Sequence, residues 1–384
     1  MKHTQVHLLW RDRTVCRHFR TGVSLHSHTM HSRESLSSIP VYASYVPLLA
    51  WELERLARGY QAKHGRPVDY SRAHWTPPLA EREAHELEKR SIEDHLGLAA
   101  LVSLSDHDSI EAGCGLRQVA ETSAAPISVE WTVPVAGTYF HLGVHNLPPQ
   151  QARSIMVEMA AYTHQPSEAR RQEILAVVNR HEDSLVVLNH PLWAQSGCGT
   201  EHHRAALGEL LIASGNLIHA IELNGLRPWE ENRAVMDWAP GSDYPLISGG
   251  DRHACEPNCV VNLTNAASFP EFVGEVRAGH SVVAFHDRYK EPRGFRIIKA
   301  LSDIMGEYPD IPSRARWSDR VFCKRYCGAI TPISELWDGE MPRVVRLFDL
   351  TVRLARSQKM RSVLGFCFGS GTEIELETSP APEQ

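Results

Sequence analysis

No stretch of this chain approaches the ~20 consecutive apolar residues of a membrane span, although hydrophobic residues fill 42% of its 384 positions. Apolar residues are therefore dispersed, as in a folded globular protein. The opening residues MKHTQVHLLWRDRTVCRHFR are broken by charge and lack the apolar core of a secretion signal, so the expected location is the cytoplasm. A basic excess is missing too. Forty Lys and Arg stand against 46 Asp and Glu, a net charge of −6, which argues against a nucleic-acid-binding surface. Phosphate ligands stay open, because bound metals supply positive charge locally. The eight cysteines include two C-x3-C pairs, Cys255/Cys259 and Cys323/Cys327, without the tighter spacing of a structural zinc knuckle. They read as free thiols of a reducing compartment. Internal repeats are absent, low complexity is confined to a tail from about Ser379 that reads as disordered, and no Ser–His–Asp or Cys–His arrangement stands out.

What is abundant is histidine, with 22 residues. Histidine is the commonest metal ligand, so its placement along the chain carries the information. Short apolar runs read as strands at Thr21–Leu25, Ala99–Leu104, Ile127–Glu130, Tyr139–Val144, Ser184–Leu188, Leu217–Leu223, Tyr244–Ser248, Val260–Leu263 and Ser281–Phe285. Helical patterns fall between many of them, at Ile110–Thr122, Glu168–Arg180, Ala205–Ser214, Glu230–Trp238 and Pro270–Ala278. This alternation predicts an α/β fold built on a parallel sheet or barrel. Residues 36–97 form a long insertion carrying two helices, Val46–Tyr60 and Glu81–Asp94. After residue 289 the pattern changes. Pro292–Trp317 reads as loop-rich, and Val344–Ala355 as an amphipathic helix. The expected organisation is a barrel over 1–289 and a C-terminal extension over 290–384 packed on it.

Polar clusters follow five of the strands. His26-Ser-His28 ends the first, and residues two apart on a strand share a face, so both imidazoles can reach one ion. Asp106-His107-Asp108 ends another, with Asp106 placed to orient a neighbour or to cap the next helix. Glu130 ends ISVE, His141 begins HLGVH, His190 stands before a proline, and Asp251-Arg-His253 follows two glycines. Each has an ordinary reading as a turn or a surface histidine. Their recurrence at strand ends is the signal, because α/β barrels build their sites there.

In the order HxH, DHD, E…H, NHP and GGDxH, the set resembles the PHP (polymerase and histidinol phosphatase) family over about Gly22 to Phe285. The resemblance implies a distorted (β/α)7, TIM-like barrel holding two or three divalent ions. His26, His28, Glu130 and Asp251 would hold one. Glu130, His141 and His190 would hold a second, with Glu130 bridging. His107, His253 and a residue of the loop after HxH would hold a third. The family often has Asp or His where this chain has Arg33 and Glu34; Glu34 is the candidate oxygen ligand and His31 its competitor. Asp106, His107 and Asp251 are the candidate catalytic residues.

Clustered cations acidify a bound water, so the implied chemistry is phosphoester hydrolysis without a protein nucleophile. Mixed His and carboxylate donors suit zinc or manganese, with iron possible. Arg33, Asn224, Arg227 and Arg252 are candidate substrate contacts, each Arg equally readable as a surface salt bridge. The expected substrate is a small phosphorylated metabolite or nucleotide. A phosphodiesterase or nuclease, and a non-catalytic metal-binding barrel, are the alternatives. The 36–97 insertion reads equally as a lid or as a peripheral helical pair or oligomer contact.

Overall fold

The computed structural model describes residues 3–38, 47–194, 198–238, 244–309, 314–325, 328–337, 341 and 343–356. The chain opens with β1 (His3–Leu8), β2 (Thr21–Leu25) and the two-residue β3 (Glu34–Ser35). The insertion follows as α1 (Pro47–His64), β4 (Ala73–Trp75) and α2 (Glu81–Leu96). Next come β5 (Ala99–Ser103), α3 (Glu111–Leu116), β6 (Val129–Val135), β7 (Thr138–His145), α4 (Ala152–His164), α5 (Glu168–Asn179) and β8 (Leu185–Asn189). They are succeeded by α6 (Thr200–Ser214), β9 (Ala220–Asn224), α7 (Trp229–Trp238), β10 (Leu246–Gly249), β11 (Val260–Thr264), α8 (Phe269–Arg277) and β12 (His280–Phe285). The C-terminal part holds α9 (Arg293–Ile304), β13 (Val321–Lys324), β14 (Ile330–Pro332), α10 (Ile333–Leu336) and α11 (Arg343–Arg356).

These strands do not close into the expected (β/α)7 barrel. Among the described residues they form three sheets, ordered β1-β12-β11-β2-β5, β10-β9-β8-β7-β6 and β14-β13-β4-β3. Two features overturn the barrel. First, the sheets are mixed: β7 runs antiparallel to both β6 and β8, and β11 antiparallel to both β12 and β2. The β6–β7 hairpin turns on Ala136 and Gly137, with φ of 47° and 81°, the positive-φ pair that tight hairpins need. Second, between the two larger sheets the ladder shrinks to isolated bridges, Ser27–Arg252 and His107–Glu130. Both bridges sit beside the polar clusters, where the chain leaves extended geometry and regular pairing stops.

The larger sheets still share an interior. Val23 and Leu25 of β2 pack in one apolar cluster with Val187 of β8, Ala220 of β9, Ile247 of β10 and the inner face of α8. β8 and β9 are buried along their whole length, as strands covered on both faces must be. Glu130 lies near the start of β6 rather than at a strand end, because β6 continues through WTVPV.

Three segments depart from the expected local structure. HTQVHL pairs as β1 in parallel with β12, despite its polar residues. Residues 152–164 are helical. The stretch 292–317, expected to be loop-rich, contains α9, with Pro292 at its N-cap. Within the insertion, Ala84, Glu88, Ser91 and Ile92 of α2 are buried, and Ile92 packs with Leu9, Val261 and Ala284. The six cysteines among the described residues form no disulfide with one another; Cys327 and the tail from Ser379 lie outside the described residues. Among the described residues no helix is long and apolar enough to cross a membrane.

One buried group outside the polar clusters gives a pH prediction. Neither ring nitrogen of His286, buried just after β12, has a hydrogen-bond partner. Burial, and then Arg288, push its pKa down to about 4. The unfolded chain therefore takes up this proton first. The contribution of His286 to stability is full above the ordinary value near 6.5 and is lost as pH falls toward 4. Wild type should lose on the order of 1 kcal/mol through this group between pH 6.5 and 5. Urea midpoints at pH 7 and pH 5 should show a smaller loss in His286→Phe; equal losses would remove the assignment.

Candidate metal centre

The turns after β2, β8 and β10 each place a residue in left-handed backbone: His26 at φ 61°, His190 at 28° and Asp251 at 55°. Non-glycine residues rarely adopt this region, and such strain persists where surrounding contacts over-determine it. Here it turns three side chains toward one point, and their donor atoms form a group within 4.8 Å of one another. The glycines before Asp251 are needed for close approach. A Cβ at Gly249 would lie 1.6 Å from Glu222 Oε1, and one at Gly250 would lie 1.7 Å from Asn258 Oδ1.

The centre of the site is Glu130, whose side chain is fully buried. Five imidazole nitrogens surround its two oxygens: His26 Nε2 at 3.0 Å, His28 Nε2 at 3.3 Å, His107 Nδ1 at 3.2 Å, His141 Nδ1 at 3.3 Å and His190 Nε2 at 3.2 Å. Asp251 Oδ1 lies 3.5 Å from His28 Nε2 and 3.7 Å from His26 Nε2. On the far side, Glu34 Oε2 lies 3.1 Å from His253 Nε2 and 3.4 Å from His107 Nε2. Four overlapping donor groups result: His28/Glu34/His107/His253, His26/His28/Glu130, His26/His190/Asp251 and His107/Glu130/His141. The structure thus brings together His26, His28, Glu34, His107, Glu130, His141, His190, Asp251 and His253.

Whether these residues fit divalent ions is decided by where the protons sit. His26 Nδ1 donates to Glu222 Oε1 at 2.5 Å, His28 Nδ1 to Ser32 Oγ at 3.2 Å, and His253 Nδ1 to the Asp251 carbonyl at 2.8 Å. Each outer nitrogen is so engaged, which aims Nε2 inward, the arrangement that orients metal-bound imidazoles. His26 Nε2, His28 Nε2 and Glu130 Oε2 are buried without a hydrogen-bond partner. In the neutral imidazoles the Nε2 lone pairs face a carboxylate across about 3 Å. Protonating all five imidazoles around one anion would bury a large excess of positive charge, which costs several kcal/mol per ion. Cations of higher charge density, placed among the donors, satisfy both sets of lone pairs. The cluster can hold divalent metal ions.

The electrostatics of the cluster follow from its contacts. Burial would push the Glu130 carboxyl up, but the imidazoles, His26 foremost, overcome it and hold it well below the usual carboxylate range. Asp251 is held well below it in the same way. Burial opposes charge on His26, yet Glu130, Glu222 and Asp251 raise its pKa well above the ordinary value. His28 and His253 stack at 4.1 Å and part in opposite directions. Burial, then His253, push His28 down to about 3, while Glu34 outweighs burial and lifts His253 to about 9. Two stacked imidazoles do not both carry charge at that distance.

Other candidates fall in different places. Asp106 stays out of the cluster and accepts from the backbone N–H and hydroxyl of Thr29, which pins the loop after HxH. Burial lifts its pKa to about 6. His31 turns to Glu81 on α2 at 3.1 Å. Arg33 is exposed. Arg252 is buried and committed to Glu88, with Nε donating at 2.8 Å and its other nitrogens held by the carbonyls of Ala254 and His28. Asn224 and Arg227 do reach the centre: Asn224 Nδ2 donates to Glu222 Oε2 at 2.8 Å, and Arg227 Nη2 lies 3.4 Å from Asp251 Oδ2. The Arg227 guanidinium also sits 4.6 Å over the Trp193 ring.

Glu222 was visible in the sequence only as a residue sharing strand parity with Asn224. It holds His26, Asn224 and the His190 backbone N–H. Asn189, which donates to Glu130 Oε1 at 3.0 Å, was hidden beside His190.

No family model and no curated protein matches the chain. Several solved structures are similar at a low level, three of them as follows. A Bifidobacterium adolescentis protein described provisionally as a metal-dependent phosphoesterase is 14% identical, with 53% of this chain and 92% of that one covered at a TM-score of 0.32. PsfC from Pseudomonas syringae is 11% identical, with 71% and 93% covered at 0.38. An amidohydrolase from Chromobacterium violaceum, with bound sulfate and no metal, is 15% identical, with 46% and 83% covered at 0.30. Likeness at this level carries no argument about chemistry, which rests on the residues themselves.

Proposed function

We propose that this chain is a metal-dependent phosphoesterase that hydrolyses the monoester of a small phosphorylated metabolite or nucleotide. The observation that carries the reading is the set of overlapping donor groups around Glu130, with His26 Nε2, His28 Nε2 and Glu130 Oε2 buried and without a hydrogen-bond partner. Ions held by His26, His28, Glu34, His107, Glu130, His141, His190, Asp251 and His253 would acidify an attacking water and neutralise charge on phosphoryl oxygens. The donor chemistry suits zinc or manganese over calcium. Glu222 fixes the tautomer and aim of His26. Arg227, backed by Trp193 and with its Nε lacking a partner, offers a charged donor at the edge of the cluster for an anionic substrate. The net charge of −6 favours a small substrate over a polyanion.

The test is elemental analysis of the purified protein together with hydrolysis of p-nitrophenyl phosphate and bis-p-nitrophenyl phosphate, for wild type and Asp251→Asn. Bound metal, with monoester cleavage lost in the variant, is the expected result. Preference for the diester would move the assignment to a phosphodiesterase. A folded protein that takes up neither zinc, manganese nor iron would end the reading.

A further inference from the structure

Glu34 reaches the cluster from an unusual support. It lies on β3, a two-residue strand paired with neither of the larger sheets but with β4 of the insertion, through Glu34–Trp75 and Ser35–His74. β4 in turn pairs with β13 from the C-terminal part, through Val321–Trp75 and Phe322–His74. So short a strand has little stability of its own and keeps its geometry only while its neighbours hold. The C-terminal part adds two further ties, one to the loop after HxH and one to the end of β4. Arg314 donates to the Met30 carbonyl at 3.0 Å while its guanidinium sits 5.5 Å over the Phe322 ring. The Arg320 carbonyl accepts from Thr76 N–H at 2.9 Å, just after Trp75.

We infer that the C-terminal part is a positioning device for one metal position: through β13 and Arg314 it sets Glu34, and with it occupancy of the His28/Glu34/His107/His253 group. The inference rests on the metal-centre reading. It separates this group from the two groups built on Glu130 and from the one built on His190 and Asp251, whose carboxylates stand on β6 and the turn after β10. Arg314 is a positioning residue: it touches the loop's backbone and an aromatic ring, not the donor atoms.

The experiment is metal titration of the full-length chain, with manganese followed by isothermal calorimetry and by electron paramagnetic resonance, in wild type, Glu34→Gln, Arg314→Ala, Arg314→Lys and Phe322→Ala. Glu34→Gln should remove one class of bound ion. Arg314→Ala and Phe322→Ala should weaken that same class by roughly tenfold or more, the scale at which residues supporting ligands act, and leave the remaining ions unchanged. Arg314→Lys, which keeps a donor for the Met30 carbonyl, should recover most of the affinity. Wild-type binding in Arg314→Ala and Phe322→Ala, beside a loss in Glu34→Gln, overturns this inference alone. Loss of every ion together in Arg314→Ala also overturns it, because the coupling would not be selective. Absence of any ion from wild type overturns the metal-centre reading beneath it.

Discussion

Glu130→Gln should strip the site of most of its metal and slow hydrolysis by about 1000-fold, roughly 4 kcal/mol of barrier. The substitution is nearly isosteric, so packing around β6 is kept. What changes is charge: the amide is neutral, and one of its two ends becomes a donor. Glu130 belongs to two of the four donor groups and lies 3.0–3.3 Å from five imidazole nitrogens. No other carboxylate in the cluster has so many contacts. Glu34→Gln, which touches a single group, should therefore cost less metal than Glu130→Gln. Elemental analysis after dialysis, with steady-state rates on p-nitrophenyl phosphate, checks the order. Full metal content and near-wild-type turnover in Glu130→Gln would show that Glu130 is a structural acceptor.

Glu88→Ala should produce the largest loss of stability, about 3–5 kcal/mol, the scale for breaking a buried ion pair from one side. Glu88 projects from α2 into the interior behind the cluster, with its side chain 1% exposed. Its carboxylate accepts from Arg252 Nε at 2.8 Å, Ser24 Oγ at 2.9 Å and the backbone N–H of Asn258 at 3.0 Å. Alanine leaves the Arg252 guanidinium, 3% exposed, without its counter-charge. Arg252 lies between Asp251 and His253, so the damage would spread to the metal centre. Removing both partners should hurt less than the two single losses added, because each single variant strands a buried group. Denaturant midpoints for Glu88→Ala, Arg252→Ala and the double variant decide the matter. A single-variant loss below about 1 kcal/mol would mean that water or a rearranged side chain replaces the carboxylate.

The same pair shows where reading residues in order stops. Arg252 stands in GGDRH between two candidate ligands, which suggested a phosphate contact. Its direction was set instead by a carboxylate 164 positions earlier in sequence, on the second helix of the insertion. Glu88 sits among EREAHELEKRSIEDHL, where nothing local marks one glutamate for burial. Burial of a charged group depends on a partner, and partners far apart in sequence leave no periodic signature. The barrel failed for a related reason. Alternation of strands and helices constrains local structure, but strand direction depends on turns such as Ala136-Gly137, and closure depends on pairing across the bridges at Ser27 and His107.

Chemistry that is local was legible from sequence alone. HxH, DHD, NHP and GGDxH each follow an apolar strand, and donor identity needs no more than that to suggest a metal centre. Apolar runs such as LVVL and AIEL marked strands for the same reason, and the structure buries both along their length. Only tertiary structure decided that Glu130 is the common neighbour of five histidines, that Asp106 serves the Thr29 loop, and that Glu34 depends on strands from both the insertion and the C-terminal part. These are facts of convergence: they depend on distances between segments that the chain brings together only when its interior is packed.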